Sequence, residues 1–345
     1  MTAARPRLAL SRQQILGHRR RVGALDARLP FGPASLRRAA WAGLQDSMPR
    51  AALLSVHARV AGTRADLLHD ASLAQVWGPR FSNYVVAAED VPVFTLGRLP
   101  DDEAGRRRAL ETADRLDAFL AGRRMGYGLA GDAMGVNANS LRYATTTGRV
   151  LMRWEGARQP IIWIVPPPAM SATDARLELA RRYLHVSGPG TPVSFAKWAG
   201  IGGREATAGF EALRDELIDV RTPQGDGVLL AADEASFRAG PDRPATVRLL
   251  PSGDPYYLFW GDSRDLLVGD SRRRAELWTS RVWPGALLLD GEVAGTWRRD
   301  QARLTVTPWR AMSGAERDAT QAEAASLPLP NLQVPPTVDW TTGPS

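Results

Sequence analysis

Cysteine is absent from the 345 residues, and of the 44 basic residues only Lys197 is a lysine. The first absence excludes a disulfide framework and thiolate chemistry. Histidine is scarce too. His18, His57, His69 and His185 stand alone, with no H-x-E or H-E-x-x-H spacing, so neither a zinc site nor any other metal is expected. No apolar run approaches the roughly 18 residues of a membrane span. The opening "MTAARPRLALSRQQ" returns to polarity after a short "LAL", which is not the pattern of a signal peptide. No G-x-x-x-x-G-K phosphate loop occurs, and no cofactor is expected. These exclusions lead to a cytoplasmic protein.

What the chain does have is arginine. The net charge is +7 and the pI about 10.4. Part of that bias follows from G/C-rich codon usage. Arginine nevertheless presents a planar fork that suits phosphate, and a basic balance favours a nucleic-acid partner.

One order of elements recurs: a long amphipathic helix, two shorter helices split by a small-residue turn, then a hairpin. The clearest instance spans 104–168. "RRRALETADRLDAFLAG" sets Leu110, Ala113, Leu116, Phe119 and Leu120 at helical spacing. "GYGLAGDAMG" follows, then Asn137 as N-cap of a helix through Tyr143, then the hairpin "RVLMRWEGARQPIIWIVPPP". A second instance spans 172–237, with Asp174 in the first turn of "TDARLELARRYLHVSG". Thr191-Pro192 opens its next helix, and "QGDG" is its hairpin turn. Residues 8–100 fit the same plan less cleanly, with "GPASLRRAAWAGLQ" and "RAALLSVHARV" helical and "AQVWGPRFSNYVVAAED" the strand pair. Helix, helix-turn-helix, hairpin is the order of a winged helix. From 243 to 312 short strands and turns predict a small mostly-β domain, with a hairpin turn at Asp290-Gly291. A Pro-rich, ill-ordered tail is expected over 313–345. The fold class is therefore α+β: three tandem winged-helix units followed by a C-terminal β domain.

Four stretches give this order a likeness. They are "AGLQDSMPRAALLSVHARV", "LAQVWGPRFSNYVVAAEDVP", "RRYLHVSGPGTPVSFAKWAGI" and "DGEVAGTWRR", which together bracket residues 10–310. The chain resembles the tandem winged-helix DNA glycosylases of the AlkZ/YcaQ type. The resemblance implies a basic concave surface for double-stranded DNA. It also implies cleavage of the N-glycosidic bond of N7-alkylated purines and unhooking of interstrand crosslinks, by a monomer near the nucleoid. The family's Gln-hydrophobic-Gln or Gln-hydrophobic-Asp motif falls on Gln45, Asp46 and Ser47. The hydrophobic position is thus an aspartate and the second polar position a serine.

Gln45, Asp46 and Ser47 are the candidate catalytic residues. A neutral amide such as Gln45 can hold a water by donating and accepting at once. Ser47 can hydrogen-bond that water without supplying charge, and Asp46 can supply charge. In an extended segment Gln45 and Ser47 share a face, while Asp46 faces elsewhere unless the backbone turns. Asp46 or Ser47 equally suits capping of a helix that begins near Pro49. Arg50, His57, Arg80, Arg142 and Tyr143 are the candidate DNA-contacting residues, Arg142 and Tyr143 on the presumed recognition helix of the second unit. Trp77 reads as core. The run at Arg20-Arg21 and the triplets 106–108 and 272–274 read as solvated faces. A non-catalytic regulator or lesion sensor on the same scaffold is the alternative function.

Overall fold

The computed structural model describes residues 8–46, 50–155, 158–240, 245–261, 263–330, 332 and 334–341. Three successive segments each carry helices and then a hairpin. In the first, helix Arg12–Val22 starts at Ser11, whose hydroxyl accepts from the Gln14 amide while the Gln14 side chain answers on the Ser11 amide. Helix Pro33–Ala39, the two-residue strand Leu44–Gln45, helix Ala51–His57 and the hairpin Leu73–Trp77/Asn83–Ala87 follow. "WAGLQ" was expected to continue a helix. The helix instead ends at Ala39, and Gly43, where φ is +70° and a Cβ would stand 2.8 Å from the Tyr84 ring, turns the chain into strand Leu44–Gln45.

The second segment runs from helix Glu103–Leu120 through strand Met125–Gly126, helix Tyr127–Ala133 and residues Ala138–Thr147 to the hairpin Val150–Arg153/Ile161–Ile164. Ala109, Ala113, Leu116 and Leu120 form the buried stripe of its first helix, and Leu110 lies outside it. Residues 138–147 are a 3-10 helix rather than an α-helix, although Asn137 does cap it as its position suggests. The third segment comprises helix Ala172–Ser187, helix Pro192–Ala199 with Thr191 as cap, helix Gly203–Ala212 and the hairpin Leu217–Thr222/Gly225–Leu230. Its turn is Pro223-Gln224, so "GDG" already belongs to the strand. Strand Leu8–Ala9 adds in parallel to this hairpin.

The segments are not independent beads. A Gln75–Met152 pair joins the first two hairpins into one six-stranded sheet, which also takes in Leu44–Gln45 and Met125–Gly126 at its edges. Tyr84, Val76 and Phe94 of the first segment share a core with Leu179, Phe195, Trp198 and Phe210 of the third. The C-terminal sheet has five strands, Val247–Leu250, Gly285–Leu289, Glu292–Asp300, Arg303–Pro308 and Thr337–Trp340. Its Asp290-Gly291 turn has φ of 49° and 82°, the two positive values that a two-residue hairpin needs.

Two expectations are corrected here. The segment 313–345 contains helix Gly314–Ala325, which buries Thr320, Glu323 and Ala324, and then the strand Thr337–Trp340. The Gln321 side chain stitches that strand down through Pro336 O and Val338 N, at 3.0 and 2.9 Å. The "HRRR" run is buried rather than solvated. Arg19 donates to Ser187 O and Gly188 O, Arg20 pairs with Asp26, and Arg21 reaches Ser236 O. Several chain turns end there with free carbonyls, and guanidinium forks satisfy them. Arg106, Arg107 and Arg108 are exposed as expected, as are Arg272 and Arg273.

Candidate active site

Gln45 pairs with Tyr84 across the sheet edge, and Leu44 with Val85. This register decides what each neighbour meets. Leu44 and Val85 face the core made with Leu53 and Val56 of the following helix. Gln45 and Tyr84 face the other way, toward the third segment. Asp46 returns to the first side, where its Oδ1 accepts from the Ala52 amide at 3.0 Å. The Asp46 carboxylate thus serves a first-turn amide of helix Ala51–His57 from outside it, Arg50 holding the N-cap position. Its main chain continues the ladder by donating to Asn83 O.

The amide of Gln45 is held in one orientation. Its Oε1 accepts from Arg80 Nη2 at 2.9 Å, with the Tyr84 hydroxyl at 3.5 Å. Arg80 sits at the tip of the first hairpin, where Arg80 and Phe81 both have φ of 56°, an uncommon conformation for side-chain-bearing residues. From that corner its Nη1 donates to Trp198 O, and its guanidinium lies 4.3 Å from the centre of the Trp260 ring. Gly200 makes the approach possible, because a Cβ there would stand 2.9 Å from Arg80 N and 3.0 Å from its Cα. Three parts of the chain therefore converge on the environment of one glutamine.

On the opposite face Asp46 lines a cleft of about 180 Å³ with Arg50, Leu68, His69, Gln75, Arg153, Trp154 and Glu155. Burial raises the Asp46 carboxyl to about 6, partly offset by the Ala52 and Ala51 amides and by Arg50. Arg50 opens the helix with φ of 69°. Ser47, the third residue of the motif, lies outside the described residues.

His57 does not approach this region. It is buried against the C-terminal part, with Nε2 3.0 Å from Ser326 Oγ and its carbonyl accepting from Arg28, and burial lowers its pKa to about 3. Its expected contact with DNA is thereby corrected: the helix turns that side inward. Arg142 is half-buried, 3.4 Å from both Phe81 O and the Tyr127 hydroxyl. Tyr143 is exposed and packs edge-on to Phe81, 5.4 Å between centroids. Both border the hairpin tip that carries Arg80. A groove of about 810 Å³ opens there, with Phe81, Arg108, Tyr143, Ile201 and Arg204 among its walls. Trp77 is core, packed with Ala113, Leu116 and Met152.

Sequence reasoning did not single out Tyr84, Gly200 or Trp260. Only the glycine of "KWAGIGG" carried a signal, since Gly after a helix suggests a C-cap. His18, His185 and Asp233 form the one cluster of metal-ligating types among the described residues. Both His18 nitrogens are engaged there, with Ser236 Oγ at 2.9 Å and His185 O at 2.8 Å, and Asp233 takes His185 Nδ1.

The family model described as DNA glycosylase AlkZ-like matches residues 36–328. No curated protein matches the chain. Among solved structures, the DNA glycosylase AlkZ of Streptomyces sahachiroi is similar with a TM-score of 0.76 at 17% identity, over 97% of this chain and 100% of that one. At this identity the likeness concerns the fold, a mixed α+β arrangement with several sheets. The match over most of the length carries the assignment: the chain belongs to the AlkZ-like family of DNA glycosylases, hydrolases of the N-glycosyl bond.

Proposed function

We propose that the protein removes N7-alkylated purines from double-stranded DNA, and unhooks interstrand crosslinks made through that position, with Gln45 holding the attacking water. It would act as a monomer, with no metal and no cofactor. N7-alkylation makes the purine cationic, so the base departs without a proton from a strong acid. What remains is to place water against the anomeric carbon while an oxocarbenium-like sugar develops. Gln45 suits that task. With Arg80 and the Tyr84 hydroxyl on its oxygen, the NH2 group of Gln45 is the end left to donate to the water. The observation that carries the reading is this held amide at the exposed edge of the sheet.

Ser47, two residues on in the sequence, supplies a second hydrogen bond to the water in this reading. Asp46 keeps its role at the helix start. In this reading the segments 8–100, 104–168 and 172–237 are winged-helix modules, and residues from 243 onward form the β domain. Tyr143, Arg142 and Arg50 contact the duplex in this reading, which the exposure of Tyr143 beside the groove supports.

The test is a duplex carrying an N7-linked crosslink, incubated with stoichiometric protein and run on a denaturing gel after alkali. Unhooked strands with lesion-dependent breaks are expected, and they should disappear with Gln45→Ala. No unhooking and no breaks would contradict the proposal.

A further inference from the structure

We propose that Arg80 is a positioning residue for Gln45, fixing which end of the amide faces the DNA, and that the third segment and the loop at Trp260 hold Arg80 for that purpose. The inference rests on the role of Gln45 proposed above. A guanidinium has donors and no acceptor, so the amide atom 2.9 Å from Arg80 Nη2 must be oxygen. Left alone, a glutamine side chain at a sheet edge would rotate among several rotamers and present either end outward. Tyr84 supports the same choice, since its hydroxyl can donate to that oxygen from 3.5 Å.

Arg80 is itself fixed on every side. Its Nη1 is committed to Trp198 O at the end of helix Pro192–Ala199, and its plane rests 4.3 Å from the Trp260 ring centre. The backbone beneath it takes two consecutive positive φ values, and Gly200 leaves just enough space for the contact. Strain of this kind persists where the surroundings over-determine it. Among the described residues the hydrogen-bond partners of the Arg80 side chain are Trp198 O, Gln45 Oε1 and the Tyr84 hydroxyl, with no carboxylate. A cation without a carboxylate is also the type of group that takes a backbone phosphate. The two roles differ in what they change: positioning acts through Gln45 on the chemical step, whereas a phosphate contact acts on DNA affinity.

Single-turnover release of 7-methylguanine from duplex DNA separates them, using the wild type, Arg80→Met, Arg80→Lys, Gln45→Ala and the double variant Gln45→Ala/Arg80→Met. Arg80→Met should slow release by about 10-fold or more. Its Kd for DNA should stay within about 2-fold of wild type, with an unchanged salt slope. Arg80→Lys should share the defect, because an ammonium cannot serve Trp198 O and Gln45 and stack on Trp260 at once. The double variant should be no slower than Gln45→Ala alone. Losses that multiply, or a rate rescued by lysine together with weakened and less salt-sensitive DNA binding in Arg80→Met, would overturn the proposal in favour of a phosphate contact. Trp260→Leu, which leaves Arg80 in place but removes its platform, should show the same rate defect in milder form. It also serves if Arg80→Met fails to fold.

A readout without DNA distinguishes failure of this inference from failure of the functional proposal. In the free protein, 15N relaxation of the Gln45 side-chain NH2 should report an ordered group that becomes mobile in Arg80→Met. If the wild type releases no base, this measurement alone decides. Equal order in both proteins would overturn the positioning role.

Discussion

Gln45 and Asp46 are adjacent in sequence and opposite in consequence. The strand places Gln45 against Tyr84 and Arg80, and Asp46 against the Ala52 amide. Asp46 holds a buried carboxyl raised from 3.8 to about 6. Its protonated form is therefore favoured in the folded state. That contribution is fully present below pH 3.8 and is lost as the pH rises through 6, costing roughly 3 kcal/mol at most. Asp46→Asn keeps an oxygen for the Ala52 amide and removes the charge. It should raise stability above pH 6 by up to roughly 3 kcal/mol and leave it nearly unchanged at pH 3.5, as read by urea denaturation. A loss of stability at pH 8 would show that the charged carboxylate is favourable. That Asp46 would serve the start of the next helix was legible from its residue type. Which side Gln45 and Asp46 each faced was not, because it depends on register with a strand some 40 residues away in the chain. The demotion of His57 has the same origin: a helix pattern marks one apolar face but not which partner the C-terminal part will supply.

At the scale of elements, the hairpin tip is the part that depends most on its neighbours. "AQVWGPRFSNYVVAAED" reads as a strand pair, and at its tip the two left-handed residues Arg80 and Phe81 lie against Trp198 and Gly200. Gly200→Ala should disturb that corner twice over, through its own φ of +70° and through a Cβ 2.9 Å from Arg80 N. We expect a stability loss of roughly 1–3 kcal/mol. Base release should slow beyond what that loss explains, even under conditions where the variant is fully folded. Unchanged release kinetics in folded Gly200→Ala would show that the corner tolerates displacement. Helix starts were the most legible elements, since Asn137 and Thr191 each cap the helix that their position implied. The 3-10 form of residues 138–147 was not readable, and neither was the strand at 337–340, whose proline-rich approach resembles a loose tail.

For the whole molecule, joined hairpins and shared cores tie the segments to one another. Buried histidines sit at its seams. His18 bridges the first and third segments with a pKa lowered to about 4, and His57 joins the first segment to the C-terminal part with one lowered to about 3, burial being the main cause in both. Each is neutral in the folded state. Their stabilisation is present above pH 6.5 and is lost as the pH falls toward those values, at ~1.4 kcal/mol per pH unit for each histidine. Asp46 opposes with the same slope between pH 6 and 3.8, so the two histidines prevail. Denaturation curves from pH 7.5 to 4.5 should show stability falling with acid, and His57→Gln should flatten the fall. Parallel profiles for the two proteins would contradict this assignment.

The family and the recurrence of helices followed by a hairpin could be read from the chain; the interlocking of segments around Gln45 could not, because Arg80, Trp198 and Trp260 come from three separate regions. The most direct measurement is the quantity of free 7-methylguanine liberated from methylated duplex DNA by excess protein in a single turnover. Wild-type protein should release the base, and Gln45→Ala should do so at least ~100-fold more slowly while binding the duplex as tightly. Release at the wild-type rate by folded Gln45→Ala would contradict the central role given to that glutamine.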